Sequence, residues 1–193
     1  MTRRRRRLVI GTAIGAGSSV GVGVAGYLGL VSGAVPLDLG VGRRSRQLGP
    51  QTLDVAAPRE LVFDVIAQPY LGRATHTMAE KVRLIERGTD LVLAAHHTPI
   101  HGRIAATTVE TVKFDRPDRV GFRLVRGPVP HVVEEFTLTE YDGGTRLVYR
   151  GEMAADLWRL GAWWTGVVAR RWETTVAAAL ASIKHEAERR ARQ

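Results

Sequence analysis

Apolar and polar residues alternate in short runs from Met78 to Met153, and the runs are separated by turn residues. Alternation with a period of two is the mark of strands that bury one face. The runs are Met78–Arg87, Leu91–His97, Arg103–Phe114, Arg119–Arg126, His131–Tyr141 and Thr145–Met153. Gly88-Thr89-Asp90, Asp115-Arg116-Pro117-Asp118, Gly127-Pro128-Val129-Pro130 and Asp142-Gly143-Gly144 punctuate them, and Pro99 to Gly102 marks a further turn. A weaker alternation over Gln51–Ala56 predicts one earlier strand, and Pro58 opens a helix whose buried side is Leu61 to Phe63, Val65 and Ile66. Gln68-Pro69-Tyr70-Leu71 closes that helix or starts a second short one.

The period changes after Met153. Leu160, Trp164, Val168, Trp172, Val176, Leu180 and Ile183 recur at steps of four or three, which predicts a long helix over Asp156–Arg190 with one apolar face. Arg170, Glu173, Lys184, Glu188 and Arg189 fall opposite. Six short-looped strands in series imply an antiparallel meander. The final helix is the element long enough to cover one face of it.

A third pattern opens the chain. No charged residue occurs from Leu8 to Leu37, a run long enough to span a bilayer, and five consecutive arginines, Arg3–Arg7, precede it. The overall charge of +9 changes meaning once located. Residues 1–46 hold eight Arg and one acid, a balance of +7; the rest holds 20 bases and 18 acids, a balance of +2. The basicity flanks the apolar run, so it speaks for membrane topology rather than phosphate binding, and no nucleic-acid partner is expected. The expected division is a basic N-terminus (1–7), a transmembrane anchor or signal sequence (8–37), a linker (38–50) and a ligand-binding domain (51–193). Localisation at the cell membrane with the domain on the outer side follows, a cleaved export signal being the alternative. Gly17, Gly21, Ala25, Gly29 and Gly33 form a small-residue ribbon through which anchors would self-associate.

Several chemistries find little support. There is no Cys, so thiolate metal and redox sites are excluded. His96 and His97 point to opposite faces of a strand and cannot share an ion; no metal and no cofactor is expected. Glu110 and Glu134 stand out. Each has the strand parity of apolar residues assigned inward: Val112 and Phe114 for the first, Val132, Phe136 and Leu138 for the second. Two carboxylates facing an apolar interior need partners, or their pKa values rise. Arg126 and Tyr149 are the candidate partners. A position near strand ends, or a bulge that flips the parity, would instead put them in water.

The order strand, short helix, six strands and long helix, with the segments Val55–Ile66, Phe114–Val120, Phe136–Thr139 and Gly143–Leu147, resembles the START-like (SRPBCC) superfamily, in particular the polyketide cyclase/dehydrase and lipid transport group. The resemblance implies an α+β helix-grip fold: an antiparallel curved sheet wrapped around the long C-terminal helix, here preceded by one N-terminal transmembrane helix. It implies a cavity between sheet and helix that takes a hydrophobic small molecule or lipid. The leading expectation is a membrane-anchored binding or transport domain whose cavity is lined by Phe122, Glu134, Phe136, Tyr149, Trp164, Val168 and Trp172, with no catalytic residue assigned. The alternatives are an aromatase/cyclase-type enzyme using Glu110 with Glu134 or Tyr149, and an interaction domain whose helix fills its own cavity.

Overall fold

The computed structural model describes residues 25–30, 32–35, 37–71, 82–101 and 104–193. Seven strands form one antiparallel sheet: β1 (Arg44–Val55), β2 (Val82–Arg87), β3 (Leu91–His101), β4 (Ile104–Asp115), β5 (Arg119–Arg126), β6 (His131–Tyr141) and β7 (Gly144–Ala155). Their spatial order is β1-β7-β6-β5-β4-β3-β2, a meander in which only β1 pairs out of sequence, with β7. Helix α1 (Arg59–Ala67) and a 3₁₀ turn (Gln68–Tyr70) separate β1 from β2, and helix α2 (Trp158–Ala191) ends the chain. This is the antiparallel meander with a long terminal helix expected from the residue pattern, and the helix-grip fold that the resemblance implies.

The alternation seen in sequence is the burial pattern of the sheet. Val112, Val120, Phe122, Val132, Phe136, Leu138, Leu147, Tyr149 and Met153 share one buried face. Val62, Phe63, Val65 and Ile66 of α1 join the same core. Strand β1 begins at Arg44, so part of the stretch read as a linker is strand. Its pairing with β7 shifts register between Leu48 and Gln51, across Gly49 and Pro50. That irregularity breaks the alternation and hides the first half of the strand. Similarly, β3 runs through Pro99 to His101 with a register shift where a turn was expected.

Helix α2 lies a little rotated from the face its large residues suggest. Its buried positions are Gly161, Thr165, Ala169, Val176, Leu180 and Ala187. Leu160, Trp158 and Trp163 are exposed, at 60%, 53% and 63%, so Leu160 is no core residue. The small residues allow a close approach, and the bulky Trp164, Val168 and Trp172 fall beside the contact line, partly buried against the core. The helix packs chiefly on β1, β7 and α1. Its polar side chains extend this seam: Lys184 Nζ donates to Asp54 O (2.6 Å), Gln51 Nε2 to Glu173 O (3.2 Å), and Ala56 N to Glu188 Oε1 (3.0 Å).

The expected transmembrane helix and cell-membrane localisation do not stand. No helix among the described residues is long and apolar enough to cross a membrane. Residues 25–30 form one short helical segment, and residues 32–34 make contacts with the domain. Gly33, at φ +70°, ends the segment in a left-handed conformation that favours glycine. Thr107 N donates to Ser32 O (3.0 Å), and Arg126 donates to the carbonyls of Gly33 (Nε, 2.9 Å) and Ala34 (Nη2, 3.1 Å). A Cβ on Gly33 would stand 2.4 Å from Thr107 O, so this glycine serves a contact within the chain. Residues 8–24, including Gly17 and Gly21 of the ribbon, lie outside the described residues.

A second attachment follows. Asp156, whose side chain is 1% exposed, accepts from Leu39 N (2.6 Å), Gly40 N (2.8 Å) and Arg43 Nε (2.8 Å). Leu157 N and Trp158 N donate to Val41 O and Gly42 O. The residues before β1 are thereby clamped to the start of α2.

Candidate functional site

The concave face of the sheet carries five polar or ionisable side chains among its apolar ones: His96 on β3, Thr108 and Glu110 on β4, Glu134 on β6 and Tyr149 on β7. The parity argument therefore holds for both glutamates. Glu110 is opposite Leu124 on β5, and Glu134 is opposite Phe122, two residues along the same strand and on the same face. The two carboxylates thus start two strands apart, roughly 10 Å across the sheet and about 7 Å along it.

Glu134 is held by two donors on one oxygen. Tyr149 Oη and Trp172 Nε1 each donate to Oε2 at 2.7 Å. The second oxygen, Oε1, has no hydrogen-bond partner among the described residues and is not sealed from solvent. Room for this side chain comes from Gly151, its register partner on β7: a Cβ there would stand 2.8 Å from Glu134 Cβ. Glycine inside a strand often marks such a close approach.

Glu110 is 3% exposed. Its nearest nitrogen partner is His96 Nδ1, 3.8 Å from Oε2, beyond hydrogen-bond range. The other ring nitrogen of His96 lies 3.3 Å from Tyr70 Oη. Burial, with a smaller push from the neighbouring His97, lowers the His96 pKa to about 4. The ring is therefore neutral near neutral pH, and its contact with Glu110 is no ion pair there. His97 points the other way and meets Thr107 Oγ1 at 3.2 Å.

Burial raises both carboxyls to about 7. The Thr108 side chain opposes the rise at Glu110. For Glu134 the charge of Glu110 adds to the rise, and the Tyr149 and Trp172 hydrogen bonds oppose it. Tyr70 is pushed well above the ordinary tyrosine range by burial, then by the charges of Glu110 and Glu134. Tyr149 is raised by burial and by Glu134. Both phenols are donors at any physiological pH. Two carboxyls that titrate near neutrality can hold a proton, release one, or share one.

Aromatic rings connect these groups. Tyr70, Phe122, Phe136 and Tyr149 form a chain with successive centroids 6.0, 5.5 and 5.6 Å apart. Five of the seven residues expected in the cavity, Phe122, Glu134, Phe136, Tyr149 and Trp172, therefore meet through direct contacts. Val168 lies one helical turn from Trp172 and packs against the core. Trp164 is a further turn away and belongs to the end of the face: its Nε1 donates to Pro128 O (2.8 Å) in the β5–β6 loop, and Tyr27 packs edge-on against it at 6.3 Å. Arg126, a candidate partner for the glutamates, is turned to the Gly33 and Ala34 carbonyls. A register shift between Val109 and Glu110 against β5 reverses its parity.

Tyr70, His96 and Gly151 escaped the sequence reading as site residues. His96 shares parity with Val92 and Ala94, both buried, and that signal was available. Tyr70 reaches the face from a 3₁₀ turn, where no periodicity points to it. Two surface grooves contain none of the seven residues: one of about 560 Å³ between α1 and the end of α2, and one of about 420 Å³ between β1 and α2.

The family model described as polyketide cyclase/dehydrase and lipid transport matches residues 50–188. The chain belongs to this family. No curated protein matches the sequence. Among solved structures, an aromatase/cyclase of a Streptomyces species is 20% identical, covering 77% of this chain and 95% of its own, with a TM-score of 0.61. The di-domain aromatase/cyclase StfQ of the steffimycin pathway is 20% identical over 78% of this chain and 53% of its own, with a TM-score of 0.58. Norcoclaurine synthase of Thalictrum flavum is 15% identical over 75% of this chain and 87% of its own, also at 0.58. At these identities the likeness is one of fold.

Proposed function

We propose that the domain binds a largely apolar small molecule on the concave face, between the middle strands and α2, with Glu134 as its polar anchor. The carrying observation is Glu134 itself. Two donors fix one of its oxygens, the other has no hydrogen-bond partner among the described residues, and the side chain is only partly buried beside Phe122, its cross-strand partner. Helix α2 packs chiefly on β1, β7 and α1, so over the middle strands α1 is the helix in contact, and α2 reaches Glu134 through the Trp172 side chain. An apolar recess with a few convergent polar groups is the usual form of a small-molecule site, and the family includes lipid transport proteins by its description.

The test uses a neutral hydrophobic dye, Nile red, with tryptophan fluorescence as readout. Saturable binding is expected in the wild type, lost in Val168→Trp, which fills the recess, and weakened in Glu134→Gln. Absence of saturable binding, or binding indifferent to Val168→Trp, would reject the site. Unchanged affinity in Glu134→Gln alone would remove the anchor role.

A second reading has its own observation. Two carboxyls raised to about 7 on one face are suited to general acid–base work at neutral pH. The aromatase/cyclase names among the fold neighbours are compatible with it. In that reading Glu110 and Glu134 divide the roles of acid and base, and turnover of a poly-β-carbonyl substrate follows a bell-shaped pH profile. A rate unaffected by both Glu→Gln substitutions would reject it.

A further inference from the structure

We infer that the molecule bound on the concave face carries a positively charged nitrogen, seated between Glu110 and Glu134 and against the rings beside them. This inference rests on the binding-site reading above and adds the charge class of the ligand.

The first observation is an imbalance of charge. Two acidic side chains face one interior, and among the described residues neither has a lysine or arginine within ion-pair distance. Among the described residues the neighbouring basic groups are directed elsewhere: Arg126 to the Gly33 and Ala34 carbonyls, while Arg123 and Arg150 are exposed on the other strand face. Among the described residues His96 is the basic side chain within 4 Å of Glu110, and its neutral ring supplies no charge. Buried carboxylates are ordinarily paired, and removing such a group from water without compensation is costly. Glu110 is 3% exposed and, among the described residues, has no lysine or arginine to pair with.

The second observation is independent of the acids. Tyr70, Phe122, Phe136 and Tyr149 form a continuous run of rings beside them, and Trp172 meets Glu134 edge-on through its indole N–H. Aromatic faces attract cations through their quadrupole, most strongly where water is excluded. A neutral or anionic ligand would gain nothing from the unpaired Oε1 of Glu134 unless it brought a donor. A protonated amine brings donors and charge together. The spacing suits one ligand group between the two acids, since their strand positions are diagonal across β5.

Proton linkage follows from the same arrangement. A cation favours the ionised form of each carboxyl, so binding near neutral pH displaces protons held by Glu110 and Glu134. Among the described residues the other titratable groups facing them are His96, which is neutral, and the Tyr70 and Tyr149 hydroxyls, which remain protonated.

The experiment titrates the full chain with three size-matched probes: 1-naphthylmethylamine, 1-naphthylmethanol and 1-naphthoate. The amine is expected to bind about tenfold tighter than the alcohol at pH 7.5, and the carboxylate weakest. Calorimetry in two buffers of different ionisation heat should show proton release with the amine only. The preference should collapse in Glu110→Gln/Glu134→Gln, and in the wild type it should widen between pH 5.5 and 8. The pH series keeps the test open should the double variant fail to fold. Equal affinity for amine and alcohol, or a preference constant with pH, would overturn the charge assignment and leave the binding site standing. Failure of all three probes to bind would overturn both.

Discussion

Replacing Glu110 by glutamine should stabilise the protein at alkaline pH and leave it nearly unchanged in mild acid. The reason lies in the burial of this carboxyl, which is 3% exposed and whose pKa is raised from 4.5 to about 7. Between these values the native state keeps a proton that the unfolded chain has lost, so stability falls as pH rises. The full cost is reached above pH 7 and is absent below 4.5. A gap of about 2.5 pH units at ~1.36 kcal/mol each gives a penalty of about 3 kcal/mol. Glutamine has nearly the shape of the protonated acid and never pays this penalty. It also removes the charge that helps to raise Glu134. Urea unfolding of both proteins at pH 5 and pH 8 should give similar midpoints at the lower pH. At the higher pH, glutamine should lead by about 3 kcal/mol, or roughly 6–12 °C in Tm for a chain of this size. A stability difference that is the same at both pH values, or a variant less stable at pH 8, would refute the reasoning and mean that the ionised Glu110 is compensated in the native protein.

Two further outcomes follow. Gly151→Ala places a Cβ 2.8 Å from Glu134 Cβ and against the β6 backbone, so it should destabilise the fold by about 1–3 kcal/mol and shift Trp172 emission by disturbing its bond to Glu134; an unchanged melting curve and spectrum would contradict the packing described. Asp156 has its pKa lowered to about 2, first by its hydrogen bond to Arg43 and also by the Gly40 and Leu39 amides, so its stabilising effect is present above pH 4 and is lost as pH falls towards 2; Asp156→Asn should flatten that part of an acid-unfolding profile, and a profile identical to the wild type would reject the clamp.

The fold was legible because its signals are periodic. Strand parity placed Val112, Phe136, Leu138 and Tyr149 on the core side, and it placed both glutamates there too. Size was an uneven guide to burial on α2: Val176 and Leu180 of the stripe are buried, while Leu160 is exposed. The stripe of Leu160, Trp164 and Trp172 suggested the packing face of α2, while Gly161, Thr165 and Ala169 make the contact because small residues admit a closer approach. Parity also failed wherever the register shifts, at Arg126 and at Leu48 to Gln51, since one extra residue reverses every side chain beyond it. The N-terminal run misled for another reason. Hydropathy weighs composition and is blind to Gly33, whose backbone conformation turns the described end of the run onto the domain. Tyr70 and His96 reach the site from a turn and from an outer strand, and only the assembled sheet brings them to Glu110.

The Asp156 clamp ties residues upstream of the family match to the folded unit. The family match starts at residue 50, yet β1 already pairs Arg44–Leu48 with Gly151–Ala155 of β7, and Leu39, Gly40 and Arg43 satisfy a carboxylate at the root of α2. A chain trimmed to the family boundary would bare the backbone of β7 beside buried Met153, Ala154 and Ala155. Such an open edge recruits other chains. The hydrogen-bonded knot thus carries the folded unit some ten residues upstream of the family match, and a chain trimmed to that match is expected to be prone to aggregation.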